Sequence, residues 1–197
     1  FNYFFICSSV VVQRLQGKGR RICSHHRVNA VFIHHRASEV MKIQRIVVQQ
    51  HGAPRVMELM NDELSAPSAM EVQVEHRAVG INLADTYFRS GLYPGKTPIG
   101  LGVEGAGIVT AVGAEIDKFS VGDRVTYTSS PLGAYCTARN MPIDSLIPLP
   151  QEIAFDTAAA STMRGLTASY LLKSMWDLQQ GDTIVIQAAA GGVGLLF

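Results

Sequence analysis

Three glycines in four positions, Gly191, Gly192 and Gly194, follow the consecutive β-branched residues Ile184, Val185 and Ile186. An unalternating apolar run of this kind predicts a strand buried on both faces of a parallel sheet. Glycines at its end would let the backbone turn sharply and approach a phosphate with no Cβ in the way. A helix opening there would aim unpaired N–H groups at a pyrophosphate. The spelling is looser than G-x-G-x-x-G, so a glycine-rich turn holding no ligand is the plain alternative. Only three residues follow Gly194, too few to close the first turns of a helix. Two histidine pairs, His25-His26 and His34-His35, could bind metal, but no carboxylate or cysteine framework accompanies them. Cys136 is either a reactive thiol or, between Tyr135 and Thr137, an ordinary strand residue; the second reading is preferred.

These groups need elements to hold them, and the chain divides unevenly. Residues 1–40 carry six Lys/Arg against the single acid Glu39, a balance of +5; the remainder carries eleven against fifteen, a balance of −4. The apolar run 4–12 is too short to span a bilayer, and its basic residues come after it, the reverse of a secretory signal. Residues 1–40 are therefore read as an extension outside the fold, translated from upstream of a start at Met41, with a transit peptide as the alternative. A net charge of +1 argues against an electrostatic nucleic-acid binder. With Cys7 and Cys23 in the extension and Cys136 alone in the body, no disulfide framework is available, which fits a reducing, cytoplasmic setting.

From Met41 to Pro150 the pattern is short strands between turns. Residues 43–48 form one, 71–76 alternate Val72 and Val74 with polar neighbours, and 108–112 follow a cluster of glycines around Glu104. Glycine-punctuated short strands predict a small, partly open β-barrel. After Pro150, Asp156 is placed to cap a helix through residues 158–160, and Met163, Leu166, Thr167, Tyr170 and Leu171 continue at helical spacing until Gly181.

The runs AVGINLADTYFRSGLYPG (78–95), GLGVEGAGIV (100–109), VGDRV (121–125), AAASTMRGLTASYLL (158–172) and AAAGGVG together resemble the quinone oxidoreductases. These are the zeta-crystallin-like, zinc-free branch of the medium-chain dehydrogenase/reductase superfamily. The resemblance covers Met41 to about Leu195. It implies a mixed β and α/β fold: a GroES-like, partly open β-barrel over 41–155, then the start of a Rossmann NAD(P)-binding domain over 156–197, incomplete. Zinc-dependent relatives place metal ligands where this chain has Asn82, Val103 and Met163, and an amide, a valine and a thioether make no zinc site. Metal catalysis is rejected on that ground.

By resemblance, Asn82, Asp85 and Tyr87 line the cleft beside the nicotinamide. Without a metal, reduction of a conjugated carbonyl needs hydrogen-bond donors at the oxygen where charge grows. The Tyr87 hydroxyl is the preferred donor, the alternative being an aromatic packed on a short helix. Asp85 is equally a cap for the turn after Asn82, and Asn82 itself is as suited to the cofactor as to the substrate. The cofactor is expected to be NADPH, held by Asn82, Arg164, Thr167, Ala190, Gly191, Gly192, Val193 and Gly194. Arg164 is alternatively an exposed helix charge. Glu104 is read as structural, bonding glycine-loop N–H groups, and Val103 and Met163 as apolar walls for a flat substrate.

The function implied is NADPH-dependent reduction of a small-molecule quinone. Reduction of α,β-unsaturated carbonyls is the neighbouring alternative, and a non-catalytic cofactor- or RNA-binding role the distant one; the charge balance of the body weighs against nucleic acid. The resemblance implies a homodimer for an intact protein, formed through the Rossmann sheet. The residues that distinguish a 2′-phosphate from a 2′-hydroxyl would lie beyond Phe197. The chain is therefore read as a fragment, expected to bind NADPH weakly and to turn over little.

Overall fold

The computed structural model describes residues 6–7, 10–11, 40–128 and 131–197. The histidine pairs lie outside them. Contacts divide the chain into two units, Phe1–Ala37 and Ser38–Phe197. In the first, β1 (Ile6–Cys7) pairs antiparallel with β2 (Val10–Val11).

The second unit holds two further sheets. In one, β3 (Met41–Val48) lies between β4 (Met57–Leu64) and β6 (Ile99–Gly100). The other is five-stranded and antiparallel, in the order β10 (Ile147–Pro148), β8 (Arg124–Thr128), β7 (Glu104–Val112), β5 (Glu71–Val79), β9 (Ala138–Pro142). Main-chain bonds Ile46 N–H to Tyr135 O, Thr137 N–H to Gln44 O and His76 N–H to Thr137 O stitch the two sheets together through residues 135–137. The result is a set of open sheets rather than a closed barrel, as glycine-interrupted short strands allow.

Alternation explains the core. Val72 and Val74 on β5, Val109 on β7, and Val125 and Tyr127 on β8 are fully buried with Phe119, Met141 and Leu146. Cys136 lies just before β9, in a single bridge to Arg45 rather than inside a strand. Gln73, on the face opposite Val72 and Val74, is buried as well because its amide bonds Asn140, Ser65 O and the Thr110 hydroxyl.

Two helices frame the site. The first, α1 (Leu83–Ser90), ends on Gly91, whose φ of 84° suits glycine and whose missing Cβ leaves room for the His51 ring. The second, α2 (Phe155–Ser169), begins after Ala154; Asp156 sits in its first turn, not at the cap, where a carboxylate complements the helix dipole. Arg124 fixes the approach to α2, donating to Gln151 O and Ile153 O and stacking 4.3 Å over Phe155. Buried Ala158 and Ala159 let the helix lie close against Ala106 of β7. Beyond Ser169 the helix widens into a π-helical turn, Tyr170–Met175.

The expected strand over 184–186 does not form. Val185 is 91% exposed, and among the described residues no strand runs beside it to pair its N–H and C=O groups, without which a buried strand is not stable. The helix expected after the glycines is likewise reduced to a single 3₁₀ turn, Gly194–Leu196. Among the described residues no helix is long and apolar enough to cross a membrane.

Candidate functional site

The site is built where the N-terminus of α1 meets α2. Asn82 is the N-cap of α1. Asp85, at the third helical position, reaches back so that its Oδ2 accepts the Asn82 N–H at 2.8 Å, and the Asn82 side chain faces the Asp85 N–H in turn, the reciprocal capping arrangement. The same oxygen accepts the Tyr135 hydroxyl at 2.6 Å. Asp85 is 5% exposed, and its Oδ1 is buried with no hydrogen-bond partner among the described residues. Burial, and then the Asp85 hydrogen bond and charge, push the Tyr135 hydroxyl pKa up, so that it stays a donor.

Glu104 stands behind Asn82. It is 1% exposed; its Oε2 accepts Asn82 Nδ2–H at 3.0 Å and its Oε1 accepts the Met163 N–H at 2.6 Å. The expectation that it bonds glycine-loop N–H groups is therefore corrected: its partners are the N-cap amide of α1 and the backbone of α2. Gly80 makes the approach possible, because a Cβ there would lie 2.1 Å from Ala159 O and 2.6 Å from Glu104 Oε2. Val103 is buried and Met163 half-buried.

Tyr87, one turn further along α1, is half-buried, with its ring edge-on to Tyr93 at 5.2 Å between centroids. Its hydroxyl makes no hydrogen bond among the described residues, which leaves it able to donate to a ligand. Arg164 on α2 donates from Nη2 to Ile81 O at 3.3 Å, and a Cβ on Gly192 would lie 2.7 Å from its Nε. One guanidinium thus touches both the residue before Asn82 and the glycine turn. Thr167 is turned the other way, its hydroxyl spent on Met163 O at 2.8 Å.

In the glycine turn, one of the N–H groups that could face a phosphate is already spent within the turn. Gly191 N–H donates to Ala188 O at 2.7 Å, and that carbonyl oxygen would lie 3.0 Å from a Cβ on Gly191 and 2.5 Å from one on Gly194. Ala190 is exposed and Val193 half-buried. Asn82 and Arg164 are thus brought together through Glu104, Met163 and Ile81, while Tyr87 lies on the same helix α1 as the Asn82 cap.

The sequence reading missed Tyr135, Tyr93 and His51. Tyr93 lies within the 78–95 motif, whereas Tyr135 is fifty residues from its partner Asp85 and carries no spacing signal. His51 faces the C-terminus of α1 and the loop after it, with Nδ1 3.0 Å from Phe88 O and Nε2 3.1 Å from Gly95 O. Among the described residues no group of three or more His, Cys, Asp or Glu could hold a metal ion.

Known proteins resemble the chain in sequence and fold. The quinone oxidoreductase of Pseudomonas aeruginosa is 48% identical over 153 residues, covering 77% of this chain and 47% of that protein. The 2-haloacrylate reductase of a Burkholderia species is 35% identical over 158 residues, with the same coverage of each. The crystal structure of Escherichia coli quinone oxidoreductase complexed with NADPH superposes with a TM-score of 0.75 at 45% identity, over 77% of this chain and 47% of that one. The chain spans about half the length of the curated relatives it matches. Residues 68–175, just over half of the chain, match the alcohol dehydrogenase GroES-like domain, and the chain belongs to that family.

Proposed function

We propose that the chain carries the catalytic portion of an NADPH-dependent quinone reductase that works without a metal. The observation that carries this reading is the position of Arg164, whose guanidinium spans from Ile81 O to Gly192 and so joins the glycine turn to the Asn82 end of α1. In this reading residues 41–155 form the catalytic domain and 156–197 the beginning of the cofactor domain.

NADPH, when bound, supplies the hydride. The chain's own residues do the rest: Asn82 and Arg164 orient the nicotinamide and its ribose, and Tyr87 donates its hydroxyl to the substrate oxygen on which negative charge accumulates. Half-burial strengthens that hydrogen bond relative to water. Asp85, saturated at Oδ2 by a backbone N–H and a tyrosine, holds the turn in place. A small conjugated carbonyl is the substrate class. The 2-haloacrylate reductase relative favours α,β-unsaturated carbonyls as a second reading, since both accept hydride at one end of a conjugated system and charge at the other. The sparse cysteines favour a cytoplasmic setting, and the resemblance a homodimer for an intact protein.

Joining residues 41–197 to the remaining portion of the P. aeruginosa enzyme tests the proposal. The chimera should oxidise NADPH only when a quinone or an enone is added, with the better acceptor deciding between the two readings. A folded chimera that consumes neither acceptor, or that instead retains RNA in a salt-dependent way, would overturn it.

A further inference from the structure

We propose that Glu104 is the positioning residue of the site: its carboxylate fixes the orientation of the Asn82 amide and ties it to α2, the helix that carries Arg164. The inference rests on the reading of Asn82 and Arg164 as cofactor contacts.

The argument starts from hydrogen-bond type. A carboxylate only accepts, and here each oxygen accepts a different donor, Asn82 Nδ2–H at 3.0 Å and Met163 N–H at 2.6 Å. An amide free to turn would present either its oxygen or its nitrogen to a neighbour. With Nδ2 committed to Glu104, only one orientation is left: Oδ1 is turned to the Asp85 N–H of the capping arrangement, and its second lone pair is what Asn82 offers a ligand. The carboxylate is 1% exposed, so water does not replace either bond. The α2 bond is to the residue immediately before Arg164, and Arg164 in turn donates to Ile81 O, the residue immediately before Asn82. Asn82, Glu104, Met163, Arg164 and Ile81 therefore form a closed ring of contacts. Two elements that a dinucleotide must touch together are held in register by one buried side chain. The close approach at Gly80, which has no room for a Cβ between Ala159 O and Glu104 Oε2, belongs to the same packing.

Glutamine at this position has one acceptor and one donor, so it satisfies both partners only if the Asn82 amide turns over. In E104Q, with the glutamine oxygen on Met163 N–H, Asn82 must give Oδ1 to the glutamine N–H₂ group and its nitrogen takes the place that Oδ1 held. Adding N82D supplies an acceptor for the glutamine donor and keeps an oxygen on the ligand side. The expected pattern is loss followed by specific recovery.

Two readouts on the chain itself test this. In nitrogen-proton correlation spectra, the Asn82 side-chain resonance, identified by its disappearance in N82D, should move in E104Q. NADPH titrated to millimolar concentration should bind E104Q at least tenfold more weakly than the parent, and the E104Q/N82D pair should recover to within about threefold. An Asn82 resonance indifferent to E104Q would overturn the hydrogen bond. A double variant that regains its melting temperature but not its NADPH affinity would show Glu104 to be structural only and overturn the positioning role. If the parent chain binds no NADPH at all, the cofactor reading fails and the positioning role toward it falls too, whereas the resonance test still reports the Glu104–Asn82 bond by itself.

Discussion

Tyr135 donates its hydroxyl to Asp85 Oδ2 at 2.6 Å, so a residue from the segment before β9 anchors the carboxylate that caps α1. This commits Asp85 to structure. D85A removes the reach-back to the Asn82 N–H and strands the hydroxyl of half-buried Tyr135, and should cost about 3 kcal/mol, the sum of a lost cap and a lost charge-assisted bond. Y135F removes only the second and should cost about 2 kcal/mol. Denaturant unfolding of both variants checks the order; equal losses would mean that the cap contributes nothing beyond Tyr135. Y87F, in contrast, should leave stability within about 0.5 kcal/mol, since no bond of its hydroxyl is lost among the described residues.

Gly80 is predicted to be intolerant of any side chain. A methyl group 2.1 Å from Ala159 O and 2.6 Å from Glu104 Oε2 displaces either α2 or the carboxylate. G80A should lose about 3 kcal/mol, at the upper end of overpacking costs, and thermal melting checks it. By comparison G165A, where nothing lies within 4 Å of the new Cβ, should be stabilising by about 0.5 kcal/mol through helix propensity.

Much of this was legible in the sequence. Val72 and Val74 reported a strand through alternation, the spacing of residues 158–171 reported α2, and the strand expected over 108–112 is the second half of β7, which begins earlier, at Glu104. What escaped is long-range. Glu104 finds its partners 22 and 59 residues away, and no local period records such a pairing. The apolar run Ile184 to Ile186 shows the converse: β-branched residues favour a strand, but a strand is completed by neighbours, and among the described residues it has none.

Cys136 should be a poor nucleophile. Burial raises its thiol pKa from 9.0 to about 11, against the lowering influence of Arg139 and Arg45, and its Sγ–H donates to Gly133 O at 3.2 Å. At neutral pH its thiolate fraction is about a hundredth of an ordinary thiol's. Iodoacetamide labelling followed peptide by peptide in the mass spectrometer should show Cys136 alkylated about a hundredfold more slowly than an unstructured cysteine peptide. Comparable rates would mean that this segment opens readily.

His76 makes the fold sensitive to acid. Its Nδ1 lies 2.7 Å from Cys136 O, which only accepts, so Nδ1 carries the hydrogen and Nε2 is left to accept the Tyr127 hydroxyl, also at 2.7 Å. A second proton on Nε2 would break the bond to Tyr127 inside the core. Burial, with Arg139 adding to it, accordingly holds the His76 pKa below its ordinary 6.5, although the bond to Cys136 O pulls the other way. Because the unfolded chain takes up this proton more readily than the folded one, the contribution of neutral His76 is complete above pH 6.5 and is lost as the pH falls through the lowered folded-state value. H76Q, which replaces the imidazole by an amide that has a donor and an acceptor but never gains a charge, should cost about 1 kcal/mol at pH 7.5 for one imperfect bond. It should also flatten the fall in stability between pH 6.5 and pH 5. Denaturant unfolding of both proteins across that range decides the matter: parallel curves would place the acid sensitivity in other groups, whereas convergence toward low pH assigns it to the His76–Tyr127 pair.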